Sequence, residues 1–427
     1  MRLLVLDHHF EQDIEALRAE GGDELDVRTI PFGLLRSESL RVFPERVGTG
    51  LEAYMEPGLE AERREWSRRL DALMEEQFRI GEFDAFISPS DVFFYVREAP
   101  AACHRLGAPF FVAQKETTIS PETMEAHAER VGRYAAPAAD RMTVCSERHR
   151  SFWLRAGANP ETVVVTGQPR FDFYASLGPE RIEAGYGSDG PVVLFFSYQV
   201  DAYHPSEGAG TPVWAELHRQ TEAGLWALAE RGWRVLIKPH PQQPWGDERR
   251  RIARSAGRAL NDRVFLVDPD EDARRLIAGA DVVVGFQTTA LLESMVAGRP
   301  VVYTGWDPEA IRLRDGLIPF HEWGDQISLV ESAAGLPGAV ERAGGGVGSQ
   351  RAREIAEEYL GPVDGGASHR TIEEIRNCVE RFTAARTPEV TRRRADLAAR
   401  RPPFALARRA RGGLRRVHGT LSRARER

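Results

Sequence analysis

The stretch that most constrains the fold of this chain is 281–303, Asp281-Val-Val-Val-Gly-Phe-Gln-Thr-Thr-Ala-Leu-Leu-Glu-Ser-Met-Val-Ala-Gly-Arg-Pro-Val-Val-Tyr303. It reads as strand, tight turn, helix, strand. Val282 to Val284 form a short apolar run, and Gly285 ends it with a residue able to adopt positive φ. Gln287, Thr288 and Thr289 open a helix that carries Ala290, Leu291, Leu292, Met295 and Val296. Gly298 and Pro300 close it, and Val301 to Tyr303 begin the next strand. Backbone N–H groups at such a helix start have no intrahelical partner, and two threonine hydroxyls add donors for an anion. Glu293 follows Thr289 by one turn, so a phosphate held near Thr288 and Thr289 leaves Glu293 able to accept from a hydroxyl of an attached ribose. The plainer alternative is a threonine-capped helix with a solvated glutamate.

The rest of the chain supplies context for that segment. Its 427 residues exceed one ordinary hydrophobic core, which predicts two domains. The cysteines Cys103, Cys145 and Cys378 form no CxxC pair, which argues against a disulfide framework or thiolate metal knuckle and for a reducing compartment. No apolar run reaches membrane-spanning length, and the apolar start Arg2 to Leu6 is too short for a signal peptide and reads as a first strand. The expected location is cytoplasmic. Net charge is −7, but from Arg386 onward fourteen arginines face three acids, a local +11 that leaves −18 on the preceding body. A body so acidic gives no sign of a nucleic-acid groove.

Apolar runs alternate with helical patterns along the whole length, which predicts an α/β fold with parallel, helix-covered sheets. Strands are expected at 2–6, 25–30, 83–88, 109–113, 142–145 and 163–165, with an irregular loop over 31–58. A second series starts at Val192, with strands at 192–196, 233–237, 264–267, 282–284 and 301–303, and helices over 326–340, 349–360 and 371–381. The domains implied are 1–174 on the acceptor side, a glycine-rich linker 175–190, a donor-binding domain 191–383 and a basic Arg/Pro-rich tail 384–427.

Polar residues recur where the strands end, the edge at which open α/β sheets place ligands. Lys238-Pro-His-Pro241 ends one strand of the second series, and its prolines stiffen a turn carrying a cation and an imidazole. His240 there can stabilise or protonate a leaving phosphate. Tyr198 ends the first strand of that domain and either stacks on a base or is structural; Asp268 either holds a base edge or ribose or caps the next helix. The loop after Tyr198, with Asp201 and His204, suits closure over a ligand. In the first domain Asp7, His8 and His9 follow the first strand, and one histidine is the candidate base for an attacking hydroxyl, with His8 favoured. Lys115 and Glu116 end another strand of that sheet, and Arg170 ends its last strand, placed to bind phosphate or pair across the domains. GxGxxG after the first strand, GxxxxGK[ST], HExxH and GxSxG are all missing, which disfavours dinucleotide, P-loop, zinc-protease and α/β-hydrolase chemistry. No cofactor is required by these residues, no metal ligand set is assigned, and a divalent metal is optional.

Together these residues resemble nucleotide-dependent glycosyltransferases of the two-domain GT-B type, and within them the CDP-glycerol glycerophosphotransferase-like group and its surface-polysaccharide relatives. The resemblance rests on Lys238-Pro-His-Pro241, on Asp281 to Glu293 followed by Gly298-Arg-Pro-Val-Val302, on Asp364-Gly-Gly-Ala-Ser-His-Arg370 and on Val165-Thr-Gly-Gln-Pro-Arg-Phe-Asp172. It spans about 80–383 and is strongest after 230. It implies two facing Rossmann-like domains, donor diphosphate on His240, Thr288 and Thr289, ribose on Glu293, and the histidine after the first strand as base. Lys238 and Gln287 fall within the matching donor segments. Residue 285 is glycine, so the paired glutamates at this spacing of many retaining enzymes are missing, which mildly favours inversion.

The expected function is transfer of a sugar or polyol phosphate from a nucleotide-activated donor, cytidine or uridine based, to a glycan, glycolipid or small-molecule hydroxyl. Two alternatives stay open: a nucleotide-sugar 2-epimerase-like enzyme of the same fold, and a non-catalytic nucleotide- or glycan-binding protein. Within the tail, 404–423 can form a short amphipathic helix on an anionic membrane surface, which suits a lipid-linked acceptor at the inner face of the membrane.

Overall fold

The computed structural model describes residues 1–8, 10–49, 51–115, 124–177, 186, 189–198, 214–240 and 243–400. Two compact units divide the described residues: one gathers 1–115, 126–172 and 366–400, and the other holds 124–125 and Phe173–Gly365.

The first unit is built on a six-stranded sheet in the order β2-β1-β3-β4-β5-β6. Its strands are β1 (Arg2–Leu6), β2 (Asp26–Ile30), β3 (Ala85–Ser88), β4 (Phe110–Ala113), β5 (Arg141–Val144) and β6 (Val163–Val165). Every neighbouring pair is parallel. β3 and β4 are buried along their whole length, as expected of central parallel strands covered on both faces. That is why they read as unbroken apolar runs. The connection from β1 runs outward to β2, and the chain then crosses back to β3 on the other side of β1. The order therefore reverses between β1 and β3.

The second unit repeats the architecture. Its strands are β7 (Val192–Phe196), β8 (Arg234–Lys238), β9 (Val264–Leu266), β10 (Val282–Gly285), β11 (Val301–Tyr303) and β12 (Ser328–Leu329). Their order is β12-β11-β10-β7-β8-β9, again all parallel. The chain winds outward from β7 through β8 to β9, returns to β10 beside β7, then winds outward the other way. This is the doubly wound Rossmann order, with its switch point between β7 and β10.

Several sequence expectations change here. The interval 31–58 holds helices Phe32–Ser39 and Leu51–Tyr54 and a 3₁₀ segment Glu45–Thr49. The stretch 326–340 is not one helix, because β12 occupies Ser328–Leu329 and the helix Leu336–Ala343 follows it. The domain expected to run to 383 ends earlier. The helix Ala367–Ala384 belongs to the first unit, where Ile372, Ile375 and Cys378 are buried against Leu3, Val5, Ile14 and Leu17. The start of that helix is pinned by Asp172, whose two carboxylate oxygens accept from Ala367 N at 2.9 Å and Ser368 N at 2.7 Å. A negative group at a helix N-terminus is stabilising, so Asp172 marks both the place where the chain leaves this unit and the place where it re-enters.

The expected tail also begins later than 384. The helix Pro388–Ala399 docks on the first unit, and the buried Arg394 donates to Leu106 O at 2.8 Å and Phe83 O at 3.1 Å. Arg386 donates to Gly107 O at 3.0 Å. Two arginines of the basic run thus hold backbone carbonyls of the folded body. The stretch 401–427, including the proposed amphipathic helix 404–423, lies outside the described residues. Among those residues, no helix is long and apolar enough to cross a membrane.

Candidate functional site

Ligands of doubly wound sheets bind beyond the carboxyl ends of the strands flanking the switch point. In the second unit those ends are Ser197–Tyr198 after β7 and Phe286–Thr288 after β10, with Lys238–His240 one strand further on. Thr288 is the N-cap of the helix Thr289–Val296, and its hydroxyl oxygen accepts from Ala290 N at 3.3 Å. The helix therefore starts two residues later than expected, at Thr289 rather than Gln287.

The residue before the cap carries the backbone strain. Gln287 has φ +34°, one of two positive-φ non-glycine residues among those described. The turn was expected at Gly285, but Gly285 is part of β10 and serves close approach instead. A Cβ there would lie 3.2 Å from Leu291 Cδ2 and 3.3 Å from Thr288 Cγ2. The strain at Gln287 is held by its own side chain. The buried amide donates to Tyr303 Oη at 2.9 Å and Ile318 O at 3.0 Å, and its oxygen accepts from Ile318 N at 2.9 Å. The Gln287 side chain is consequently not a donor-ligand contact. It is a clamp that fixes the loop presenting the helix start.

A second glutamine fixes the neighbouring loop. Gln243 Oε1 accepts from His240 N at 2.6 Å, while its Nε2 donates to Ser197 Oγ and Tyr198 O, each at 3.3 Å. The half-buried His240 is thus tied through Gln243 to the end of β7, beside the switch point. Glu293, one turn along the helix, accepts from Tyr174 Oη at 2.7 Å. Burial, then the Glu293 carboxylate, pushes the Tyr174 phenol well up, so it stays a donor and orients Glu293.

Three expected ligand contacts have other work. Tyr198 is buried, with its ring 5.0 Å from His218 and 5.3 Å from Phe286 by centroid, so it is a core aromatic and not a base-stacking platform. Lys238 is buried and donates to Asp268 O at 2.9 Å and Pro269 O at 2.6 Å, stapling the end of β8 to the loop after β9. Burial lowers its pKa, against the pull of Asp268 and its acidic neighbours. Asp268 is exposed and accepts from Asp270 N at 2.9 Å, closing its own turn. It follows the edge strand β9, two positions from β7 and so about 10 Å from the switch point.

Sequence reasoning missed a buried polar network beneath this edge. Ser197 Oγ lies 2.9 Å from His218 Nε2, His218 Nδ1 lies 3.8 Å from Glu222, and Glu222 pairs with Arg251. Burial, reinforced by the Arg251 charge, pushes His218 down to about 3, so it is neutral. Its signal was present in the sequence: His218, Thr221 and Glu222 share a helix face with Leu217 and Leu225.

In the first unit, Asp7 and His8 follow β1 and the segment Phe93–Val96 follows β3, so both flank the switch point. Asp7 Oδ1 accepts from Phe32 N at 2.9 Å, fixing the start of the helix Phe32–Ser39. His8 is half-buried, with Nδ1 2.6 Å from Tyr95 Oη and its ring stacked on Phe93 at 4.4 Å. Tyr95 Oη is thus one polar group on the imidazole. Arg170 Nη1 lies 3.5 Å from buried Asp13 and its guanidinium 4.8 Å over Phe171, all within the first unit. His9, Glu116, Asp201 and His204 lie outside the described residues. Among the described residues, no three His, Cys, Asp or Glu side chains converge as a metal ligand set.

Comparison with solved structures supports the architecture. The Staphylococcus aureus MnaA–UDP co-structure aligns with a TM-score of 0.52 at 14% identity, over 89% of this chain and 97% of that one. UDP-GlcNAc 2-epimerase from Neisseria meningitidis bound to UDP-GlcNAc aligns at 0.51 and 13%, over 88% and 100%. The Methanocaldococcus jannaschii UDP-GlcNAc 2-epimerase aligns at 0.50 and 13%, over 87% and 99%. The fold is of the GT-B type. At these identities the likeness is one of fold, and the finer resemblance to the glycerophosphotransferase group finds no counterpart among these three. No family model and no curated protein matches the sequence.

Proposed function

We propose that this chain is an enzyme that transfers a sugar or polyol-phosphate group from a uridine or cytidine nucleotide donor to a hydroxyl acceptor. The observation that carries the reading is the β10 end of the second sheet. There a strained, clamped residue presents a threonine-capped helix N-terminus at the switch point. Backbone amides and the hydroxyls of Thr288 and Thr289 bind the donor diphosphate, with charge complementarity from the helix. His240 donates to the leaving phosphate, and Glu293, oriented by Tyr174, accepts from a ribose hydroxyl. The first unit's switch point, with His8, takes the reacting hydroxyl. The acceptor in this reading is a glycan or lipid-linked molecule, and the basic stretch 401–427 contacts an anionic membrane surface.

A second reading, a nucleotide-sugar 2-epimerase, is favoured by structural neighbours of that name, three of which align with a TM-score of 0.50 or above. One experiment separates them. The protein is incubated with UDP-, CDP-, CMP-, GDP- and dTDP-activated sugars and CDP-glycerol, with and without acceptor extracts. Acceptor-dependent nucleotide release supports transfer, and isomerised sugar without release supports epimerisation. Saturable binding with neither product rejects both and leaves a binding protein.

A further inference from the structure

We propose that His218, Ser197 and Gln243 form one directed series of hydrogen bonds that holds the turn carrying His240, with Gln243 the positioning residue and the hydrogen of His218 on Nδ1. The proposal deepens the reading of this sheet edge as the donor site. It rests on that reading for the work of His240 and not for the direction of the hydrogen bonds.

The direction is fixed from the backbone. The His240 N–H can only donate, so the Gln243 atom 2.6 Å from it is the amide oxygen. The amide nitrogen then lies at the other end, where Tyr198 O, which can only accept, is 3.3 Å away. Both ends agree on one orientation of the amide. Its second hydrogen goes to Ser197 Oγ, also at 3.3 Å.

Ser197 is 4% exposed, so its hydroxyl hydrogen needs an acceptor inside the protein. The contact with Gln243 is already filled by a donor. The remaining side-chain contact is His218 Nε2, at 2.9 Å. Nε2 therefore accepts, and a neutral ring that accepts there carries its hydrogen on Nδ1. The other two states of the ring put a hydrogen on Nε2. Ser197 Oγ would then meet two donors and leave its own hydrogen without a partner, which disfavours those states by roughly tenfold or more. Glu222 favours the same answer. Its buried Oε1 makes no hydrogen bond among the described residues and lies 3.8 Å from His218 Nδ1. That separation exceeds a hydrogen bond, yet a carboxylate there draws hydrogen to the nearer nitrogen. Arg251 donates to the other Glu222 oxygen and to Glu248.

The series joins the helix Ala215–Glu230, the end of β7 and the turn after β8. Its last bond matters most for the donor. Pro239 and Pro241 have no N–H, so the turn 239–241 owns one backbone donor, and Gln243 occupies it. What this turn gives a phosphate then comes from the His240 side chain, and Gln243 sets where that side chain starts.

The test is a two-bond proton–nitrogen correlation spectrum of the folded, ¹⁵N-histidine-labelled full chain at neutral pH, with His218 assigned by its absence in His218→Asn. The expected pattern is protonated Nδ1 and unprotonated Nε2. Gln243→Glu keeps an acceptor for His240 N but turns an acceptor toward Ser197, so the serine hydrogen swings to it and the His218 pattern should move toward protonated Nε2. Protonated Nε2 in the wild type, or an unmoved pattern in folded Gln243→Glu, overturns the proposal, whether or not any enzymatic activity has been found. Turnover, in whichever assay the proposed function yields, tests the positioning. Gln243→Ala should lower kcat by roughly tenfold or more while the donor KM stays within about threefold. An unchanged kcat overturns the positioning role.

Discussion

Replacing Gln287 with alanine removes the clamp and keeps the strained backbone. Three groups lose their partner: Ile318 N, Ile318 O and Tyr303 Oη. Each sits in a buried residue. Leaving a buried polar group unmade costs about 1–3 kcal/mol, and water can enter the space the amide vacates, so the low end applies. The sum is about 3 kcal/mol for the alanine variant. Glycine at the same position removes the clamp but tolerates φ +34° without the penalty of about 1–2 kcal/mol carried by an L side chain. Gln287→Gly should therefore be more stable than Gln287→Ala by about 1 kcal/mol, although both lie below wild type. The assay is hydrogen exchange across 286–320 together with urea unfolding. Protection at the Ile318 amide should collapse in both variants, and nucleotide affinity should fall at least about tenfold as the helix start loses its fixed presentation. If exchange at Ile318 and the unfolding midpoint of Gln287→Ala match wild type, the clamp does not hold the strained loop and the reasoning fails.

Three further outcomes are expected. His240→Ala should lower turnover by roughly 10²-fold with an unchanged melting curve, and unaltered turnover at saturating donor would remove it from the mechanism. His218 is held near 3 in the folded chain against about 6.5 unfolded, so the unfolded state binds more protons between those values. Stability is then full above pH 6.5 and falls as pH drops through it, by about 1.4 kcal/mol per pH unit from this residue. His218→Asn should flatten that slope in unfolding measured from pH 7 to 5.5, and an unchanged slope would show that His218 does not titrate on unfolding. Removing 401–427, but not the docked helix Pro388–Ala399, should abolish sedimentation with anionic liposomes at low salt while sparing the melting temperature. Equal binding by both chains would sink the membrane contact.

Strand positions were legible because fully buried parallel strands leave unbroken apolar runs, as Val192–Phe196 does. β12 was not, since two residues, Ser328–Leu329, carry no period. Strand order was also out of reach. The same runs fit many orders, and only the pairing of β7 with both β8 and β10 turns three strand ends into a switch point. The helix Ala367–Ala384 shows the same limit in another form. Its apolar face suits either sheet, and the choice is made by Asp172, almost two hundred residues earlier in the chain.

The Thr288 cap was legible from local capping chemistry. Gln287 and Lys238 were misread for one shared reason. A polar side chain at a strand end looks the same in sequence whether it faces a ligand or a distant carbonyl. Gln287 is answered by Ile318 and Lys238 by Asp268 and Pro269, all far along the chain.

The claim at the centre of this account is that the helix Thr289–Val296 receives a nucleotide diphosphate. Its most direct test is a crystal structure of the full chain grown with saturating UDP or, in parallel, CDP. The expected result is a diphosphate at the start of that helix, with an oxygen about 2.7–3.2 Å from the amide of Thr288 or Thr289. Nucleotide bound elsewhere, or no nucleotide bound in either crystal, would contradict it.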